Sequence, residues 1–365
     1  MGKRRIGILT GGGDCPGLNA VIRGVTKTAV SKYGMEVIGF HDGYQGLIEN
    51  RFTFLTFESV SGILTHGGTI LGTSNKANPF AHIVIEKGNT VVKDVSDATM
   101  ELYNDLGLDA LITVGGDGTM TIAGMLSEKG AKVVGVPKTI DKDLMETDTT
   151  FGFDTARQIA TEAIDRLHTT AQSHHRVMLV EVMGRNAGWL ALESGIAGGG
   201  DVILIPEIPY DIEEIIRFVR QRSRFGKRFS IVVVAEGSKP EGGEQVIKKV
   251  VADSPESIRL GGISHHIANQ IEEATEIECR VTTLGHLQRG GTPTPLDRIL
   301  ATQFAVKAVE LVVEGNFNKM VALQGNDIVP VPLENVAGKQ KLVPLDSELL
   351  KAGLSVGTSY GVKID

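Results

Sequence analysis

Cysteine is scarce in this sequence: only Cys15 and Cys279 occur in 365 residues. Two cysteines cannot staple a chain of this length, which excludes a disulfide scaffold and is typical of a reducing compartment. We expect both to be ordinary buried apolar residues. A run of 18 apolar residues is also missing, and the basic N-terminus lacks the apolar stretch of a signal peptide. These absences predict a cytoplasmic protein.

Positive charge is not in excess either. The net charge of −7 gives no general attraction to nucleic acid or to an anionic membrane. We therefore expect neither as a partner, and any anionic ligand must be held by a local site. The chain is 41% hydrophobic, which suffices for two or three globular lobes.

Two common nucleotide-binding motifs are absent. The sequence contains no GxxxxGK[ST], and no GxGxxG is followed by an acidic residue about twenty positions later. Ordinary P-loop and dinucleotide-binding sites are thereby disfavoured.

Short β-branched runs bounded by glycine alternate with stretches of helical spacing, such as Ile159, Ala163, Ile164 and Leu167. This alternation is typical of βαβ units that build a parallel sheet between helices, so we predict an α/β fold. We expect a boundary near residues 151–154, where a long helix begins. The predicted strands are residues 6–10, 36–40, 110–114, 132–136, 176–183, 201–205 and 230–235.

Three of these strands run into glycine-rich turns, at residues 11–17, 115–118 and 184–188. In the turn GGDGT, glycines would let phosphate approach the N–H groups of the following helix. Asp117 would repel that phosphate unless a cation such as Mg²⁺ lay between them. Alternatively, Asp117 caps a helix that begins at Thr119. In the glycine-rich turn at residues 11–17, Asp14 is a candidate N-cap of the helix that follows.

The segment PKTIDKD follows another strand and carries Thr139, Asp141 and Asp143 at alternating positions. Alternating side chains of an extended segment point to one side, so these three would converge on one ligand. One carboxylate could accept a hydroxyl proton, as phosphoryl transfer requires. The alternative is a solvated charged loop.

Arginines recur beside glycine turns in the second half of the chain, where guanidinium groups suit phosphate oxygens. Glu236 ends an apolar run, where it would cap a helix or accept hydrogen bonds from sugar hydroxyls. The arginines and the histidine that lie near strand ends and glycine turns are Arg176, Arg185, Arg280, His286 and Arg289.

Taken in order, GGDxPGxN, DGY, GGDGT, PxTID, VEVMGR, AEG and LGHxQRGG resemble the 6-phosphofructokinase family over about residues 6–298. The resemblance implies phosphorylation of the 1-hydroxyl of fructose 6-phosphate, a reaction of glycolysis, with ATP and Mg²⁺. It implies two Rossmann-like three-layer α/β/α lobes with the active site in the cleft between them. We expect the larger, donor-binding lobe at residues 1–152 plus about 290–340, and the smaller, sugar-phosphate lobe at 153–289 plus the C-terminal tail.

The resemblance also implies roles for single residues. Asp141 would be the base, Thr139 and Asp143 would lie beside the transferring group, and Arg185 would lie near the phosphates. The donor-binding residues would be Gly12, Tyr44, Asn75, Lys76, Gly116, Asp117, Gly118 and Thr119, with Asp117 as the metal-associated carboxylate. The sugar-phosphate residues would be Thr139, Asp141, Asp143, Met183, Gly184, Arg185, Glu236, His286 and Arg289, joined by Arg176 and Arg280 from a neighbouring subunit of a homodimer or homotetramer.

Donor identity depends on two positions. Gly118 leaves space for a nucleotide, as in ATP users, whereas Lys138 stands where pyrophosphate users have lysine. This combination resembles the mixed branch of the family. We favour ATP because an aspartate at position 118 would block the nucleotide, whereas a lysine only adds attraction. Lys76 replaces an expected arginine, and Lys142 adds positive charge beside the reacting groups.

Other functions share single motifs with this sequence. GGDGT also occurs in NAD kinases and diacylglycerol kinases, but PKTID, VEVMGR and LGHLQRGG argue against both. A non-catalytic subunit that binds sugar phosphate would have lost the base or the metal carboxylate, and this chain keeps Asp141 and Asp117. A pyrophosphate-dependent phosphotransferase stays as the alternative enzyme.

Overall fold

The computed structural model describes residues 4–86, 89–250 and 258–363. The strands, in chain order, are β1 (Arg5–Thr10), β2 (Glu36–Phe40), β3 (Phe52–Leu55), β4 (His82–Glu86), β5 (Asn89–Lys93), β6 (Ala110–Gly115), β7 (Val133–Thr139), β8 (Phe151–Gly152), β9 (Val177–Val182), β10 (Val202–Leu204), β11 (Ser230–Ala235), β12 (Ile247–Val250), β13 (Ile258–Leu260), β14 (Cys279–Thr283), β15 (Lys319–Gln324) and β16 (Asp327–Pro332). The helices are α1 (Leu18–Tyr33), α2 (Tyr44–Glu49), α3 (Ser96–Asp105), α4 (Asp117–Glu128), α5 (Phe153–His174), α6 (Trp189–Ala197), α7 (Ile212–Arg224), α8 (Ile263–Thr275), α9 (Pro295–Glu314) and α10 (Glu348–Ser355), with 3₁₀ helices at Ile63–Thr65, Gly285–Arg289 and Leu333–Asn335.

The strands form two main sheets, and the α/β prediction is confirmed. The larger sheet has the order β16-β15-β7-β6-β1-β2-β3, with β8 paired to β7; the smaller has the order β10-β11-β9-β14. Pairs are parallel except β15 with β16 and β2 with β3. β6, β9 and β11 are buried along their whole length, as apolar runs between two helix layers should be.

The strands of the larger sheet come from residues 5–152 and 319–332, and those of the smaller sheet from residues 177–283. The two-lobe division stays a prediction, and this distribution supports it. α5 begins at Phe153, inside the predicted boundary, and packs Ile164 into the core. In the described part of the chain, no helix is both long enough and apolar enough to cross a membrane.

Hydrogen bonds near the start of α5 join it to α9. The Asp297 carboxylate accepts from the backbone N–H of Thr155 (2.9 Å) and from its hydroxyl (2.5 Å). Thr294 caps α9 by accepting from the N–H of Asp297, and its own hydroxyl donates to Asp154 (2.6 Å). These bonds tie the helix that leads into the smaller sheet to the helix that packs on α1 and leads back to the larger one.

Glu181, the fifth of the six residues of β9, is buried and caps a helix that lies far from it in the sequence. Its carboxylate accepts from the N–H groups of Gly262 (2.9 Å) and Ser264 (3.0 Å), at the start of α8. Helix N-termini lack intrahelical partners for their first N–H groups and favour negative charge. Glu181 therefore connects the central strand of the smaller sheet to α8.

Two predicted caps are wrong. α1 begins at Leu18 with Gly17 in the left-handed conformation (φ 107°) as its N-cap, three residues beyond Asp14. α4 begins at Asp117 itself, and Gly116 is the N-cap without a side-chain bond. Gly17 has the left-handed conformation that favours glycine, whereas Gly116 is extended (φ −89°).

Candidate active site

Two glycine turns meet at one edge of the larger sheet. β1 and β6 are neighbouring parallel strands, so the turns that follow them lie together. The buried Thr119 side chain packs between them: a Cβ atom added at Gly11 would lie 2.7 Å from Thr119 Oγ1, and one at Gly115 only 2.2 Å from it. Any larger residue at either glycine would push the turns apart.

A third loop joins this edge. The N–H of Gly12 donates to the Ser74 carbonyl (3.0 Å), and the Thr73 hydroxyl donates to the Gly12 carbonyl (2.6 Å). Asn75 and Lys76 follow directly and are exposed. The loop thus brings two of the predicted donor-binding residues beside Gly12.

Asp117 and Gly118 are the first two residues of α4 and lie at the same edge of the larger sheet. Asp117 Oδ1 accepts from the N–H of Gly338 (2.7 Å), and burial raises the pKa of its carboxyl group. A Cβ atom at Gly118 would meet no atom within 4 Å. The expected free space at position 118 is therefore present, and a side chain there would project into it.

Tyr44 and Lys138 lie behind these loops. The Tyr44 side chain is only 2% exposed and its hydroxyl donates to the Thr119 carbonyl (2.9 Å), so it supports that turn from within the core. Lys138 is 3% exposed, its ammonium donates to the Gly13 carbonyl, and burial lowers its pKa. In this conformation neither side chain is open to solvent.

Residues 139–143, which carry the predicted base, begin at the last residue of β7, and we call them the base loop. Thr139, Asp141 and Asp143 are 7–8% exposed, so the solvated-loop alternative is wrong. The N–H of Asp141 donates to the Thr139 hydroxyl (3.0 Å). Asp141 Oδ1 is buried and makes no hydrogen bond to any described residue. A buried carboxylate oxygen without a partner is costly, which is typical of a group that meets a substrate.

Several carboxylates of the site interact electrostatically. Burial, and then the charge of Asp141, raise the pKa of Asp143 to about 7, with Asp117 adding to the rise and Arg185 opposing it. Burial and Asp141 likewise raise the pKa of Glu236 to about 7. Like charges collected in a low-dielectric site favour a cationic partner.

Arg185 belongs to the turn that follows β9 in the smaller sheet. Its backbone is left-handed (φ 52°), and its N–H donates to Glu236 Oε1 (3.3 Å). Glu236 follows β11 and accepts this bond instead of capping a helix. Since the Arg185 charge acts on both Asp143 and Glu236, the end of the smaller sheet faces the base loop. Met183 and Gly184 precede it in the same turn.

Arg289 reaches the first glycine turn from the short helix Gly285–Arg289. Its guanidinium donates to the Asp14 carbonyl (2.9 Å), and a Cβ atom at Gly13 would lie 2.8 Å from Nη1. His286, in the same helix, is exposed. Arg289 therefore touches the donor-side loop, which its predicted sugar-phosphate role did not anticipate.

Arg176 and Arg280 lie elsewhere. Arg176 precedes β9, whereas the Arg185 turn follows it, and a six-residue strand separates the two ends by about 20 Å. Both arginines pair with Glu278 at the outer edge of the smaller sheet. Within one chain, the structure does not bring them to the remaining site residues.

Lys142 turns away from the reacting groups, contrary to expectation. Its ammonium donates to Glu193 Oε1 (2.7 Å) and lies 5.1 and 5.0 Å from the ring centroids of Phe153 and Trp189. Its backbone is left-handed (φ 56°), an uncommon conformation for lysine. The side chain therefore ties the base loop to α5 and α6.

Sequence reasoning missed residues 338–343, which we call the C-terminal strap. The N–H of Gly338 donates to Asp117 Oδ1, the N–H of Lys341 to the Asp143 carbonyl (2.7 Å), and the amide of Gln340 to Asp143 Oδ2 (3.4 Å). Most of these contacts are made by backbone groups, so side-chain motifs carry no signal for them.

The site suits Mg²⁺ held mainly by substrate. Among the residues the structure describes, no three His, Cys, Asp or Glu side chains form a group that could hold a metal. Mg²⁺ commonly uses one or two carboxylates and takes its other ligands from phosphates and water. Asp117, at the start of α4, and the unpartnered oxygen of Asp141 fit that requirement.

Comparison with known proteins gives concordant results. The family model described as Phosphofructokinase matches residues 5–312. The chain is 58% identical to ATP-dependent 6-phosphofructokinase 2 of Clostridium perfringens and 51% identical to ATP-dependent 6-phosphofructokinase of Spirochaeta thermophila, over 98% of each chain.

Solved structures agree on the fold. Phosphofructokinase of Pichia pastoris in the T-state superposes with a TM-score of 0.80 at 30% identity, over 98% of this chain and 37% of that longer one. The pyrophosphate-dependent phosphofructokinase of Marinobacter aquaeolei also gives a TM-score of 0.80, at 21% identity, over 98% of this chain and 92% of that one.

Proposed function

The chain belongs to the phosphofructokinase family and phosphorylates fructose 6-phosphate with ATP, a kinase reaction of glycolysis, and we propose how its residues carry that reaction. The observation on which the proposal rests is the buried Asp141, whose unpartnered Oδ1 lies in the loop that follows β7. Asp141 accepts the proton of the sugar 1-hydroxyl as that oxygen bonds to the γ-phosphorus and the bond to ADP breaks.

Thr139, Asp143 and Arg185 act around the base. The Thr139 hydroxyl accepts the Asp141 N–H and so fixes the backbone that carries the base. Asp143, two residues after Asp141, orients the transferring group. Arg185 supplies positive charge to a site whose carboxylates otherwise repel the donor. Positioning and charge stabilisation are the main protein contributions to phosphoryl transfer.

The donor occupies the edge where the three loops meet. Gly12, Gly116, Gly118 and Thr119 present backbone to the phosphates, Asn75 and Lys76 flank them, and Tyr44 supports Thr119 from behind. Asp117 would hold Mg²⁺, which would supply positive charge to the polyphosphate.

Two observations support ATP as the donor. The space beside Gly118 can admit a nucleotide, and relatives that are 51% and 58% identical are named ATP-dependent. Lys138 donates to the Gly13 carbonyl, so its charge is partly engaged by the protein. Lys138 lies directly under the first glycine turn and is the feature that favours pyrophosphate.

The sugar phosphate lies against the smaller sheet. Met183, Gly184, Glu236, His286 and Arg289 surround it, with Glu236 accepting hydrogen bonds from sugar hydroxyls. Arg176 and Arg280 reach the sugar phosphate that is bound in a neighbouring subunit of a homodimer or homotetramer. Arg176 lies about 20 Å from the Arg185 turn, which supports a role in another subunit's site. Both buried thiols are free, which fits the cytoplasm.

A side-by-side assay tests the donor and the acceptor. The purified protein is mixed with fructose 6-phosphate and either ATP or pyrophosphate, with Mg²⁺ or with a chelator. We expect fructose 1,6-bisphosphate from ATP and Mg²⁺, with pyrophosphate at least tenfold less effective in kcat/KM. A preference for pyrophosphate would overturn the donor assignment, and no bisphosphate with either donor would overturn the function.

A further inference from the structure

The C-terminal strap contacts both acidic loops of the active site. Gly338 donates its N–H to Asp117 Oδ1 (2.7 Å), and Lys341 donates its N–H to the Asp143 carbonyl (2.7 Å). Leu144 and Gln340 form an antiparallel bridge between these contacts. The strap therefore runs beside the base loop as a short extra strand and ends on the carboxylate at the start of α4.

The smaller sheet holds the strap from the other side. The indole N–H of Trp189, the first residue of α6, donates to the Lys341 carbonyl (2.9 Å). The Glu207 carboxylate accepts both the N–H of Val343 (2.9 Å) and the N–H of Gly188 (2.9 Å). The strap is thus bonded to elements that lead into both sheets.

Lys341 is the side chain that fixes the strap. Its ammonium donates to the carbonyl groups of Thr147 (2.7 Å) and Asp148 (3.0 Å), and it lies 5.6 Å from the centre of the Trp189 ring. The segment that contains Thr147 and Asp148 follows the base loop directly. Lys341 therefore tethers this segment to Trp189 without touching a reacting carboxylate itself.

These contacts have a mechanical consequence. The Asp117 carboxylate and the Asp143 backbone belong to separate loops, and strap residues only three positions apart bond to both. The strap supplies neutral N–H donors that hold both loops in one arrangement. Transition-state stabilisation depends steeply on such placement, since a displacement of about 1 Å can cost a hundredfold in rate.

We propose that the C-terminal strap is a positioning element of the active site, which sets Asp117 and Asp143 for phosphoryl transfer and is anchored by Lys341 and Trp189. The proposal rests on the phosphoryl-transfer function proposed above. It predicts that loosening the strap lowers turnover and leaves the affinity for fructose 6-phosphate nearly unchanged, because Asp143 is the one proposed sugar-phosphate residue to which the described strap residues bond.

The test uses Lys341→Met, which keeps the aliphatic stem and removes the ammonium, and Trp189→Phe, which keeps a ring and removes the N–H donor. In both variants kcat should fall about ten- to a hundredfold, while KM for fructose 6-phosphate stays within about twofold. Lys341→Arg should restore most of the rate, because a guanidinium can donate to the same two carbonyl groups. Lys351→Met, on the exposed face of α10, is the matched control and should keep wild-type kinetics.

Fluorescence gives a readout that needs no substrate. Trp189 is the only tryptophan of the chain, so its emission reports directly on the strap. In Lys341→Met the emission should move to longer wavelength as water reaches the indole, and in Lys351→Met it should not.

Wild-type kcat in both Lys341→Met and Trp189→Phe would overturn the proposal. So would a loss of rate matched by an equal rise in KM for both substrates, which would assign the strap to binding. If wild type itself forms no bisphosphate, the proposed function fails, whereas an unshifted emission in Lys341→Met refutes the anchoring alone.

Discussion

Replacing Asp141 by asparagine removes one negative charge from the buried base loop and hardly changes the volume of the side chain. General-base catalysis contributes about 10²- to 10⁴-fold to rate, so kcat should fall by that factor, equivalent to about 3–5 kcal/mol of transition-state free energy. The dissociation constant of fructose 6-phosphate should change only a few fold, because the base acts in the transition state.

The same change should alter the titration of the neighbouring carboxyl groups. The charge of Asp141 helps to raise the pKa of Asp143 and of Glu236, each to about 7. Without that charge both pKa values should fall, because the ionised forms lose a repulsive neighbour.

A stability measurement follows from this shift. A carboxyl group whose pKa is raised by folding costs stability as pH rises from its unfolded value of about 4 to its folded value, and the cost is complete above that value. Asp141→Asn lowers the folded values, so the variant should be more stable than wild type at pH 8. The gain is about 1.4 kcal/mol for each unit by which a pKa falls, and it should largely vanish at pH 4.

The assays are steady-state kinetics, calorimetric titration with fructose 6-phosphate, and urea unfolding at pH 4, 6 and 8. Near wild-type kcat in Asp141→Asn would remove Asp141 from the role of base. Equal or lower stability than wild type at pH 8 would refute the electrostatic coupling, even if turnover were lost.

Three further predictions concern the donor pocket, a buried cap and the lysine of the base loop. Gly118→Asp should fold normally, because its side chain enters free space, yet reduce kcat/KM for ATP at least tenfold; an ATP titration with unchanged kinetics would defeat the steric reasoning. Glu181→Ala should lower the free energy of unfolding by about 1–3 kcal/mol, since the N–H groups at the start of α8 lose their acceptor, and a urea midpoint equal to wild type would contradict that role. Lys142→Asn should lower kcat while largely sparing stability, because asparagine tolerates the left-handed backbone but cannot pair with Glu193; unchanged kcat would show that this ion pair does not position the base loop.

Much of the fold could be predicted from apolar patterning. Residues 36–40 and 230–235 were predicted as strands with their observed bounds, because glycine or polar residues mark both ends. β7 was predicted to end at residue 136 but continues to Thr139. Lys138 and Thr139 pair with Phe151 and Gly152 of β8, a contact between distant parts of the chain that composition does not reveal.

In the active site, too, the local sequence pattern predicted some features, whereas others depend on how separate segments pack. The types and spacing of the polar residues predicted the base loop, and glycines at strand ends predicted the turns. Residue types did not reveal the strap, because most of its contacts with the two acidic loops come from backbone N–H groups that any sequence possesses. Arg289 was recognised as a site residue, but its bond to the Asp14 carbonyl depends on how two distant loops pack.

The central claim is that Asp117 and Asp141 face one metal-bound polyphosphate from separate loops. A crystal structure with Mg²⁺, an unreactive ATP analogue and fructose 6-phosphate tests it most directly. We predict that the metal contacts the Asp117 carboxylate and that the sugar 1-hydroxyl lies within about 2.6–3.2 Å of an Asp141 oxygen. A metal bound away from Asp117, or a 1-hydroxyl directed at another group, would contradict the account.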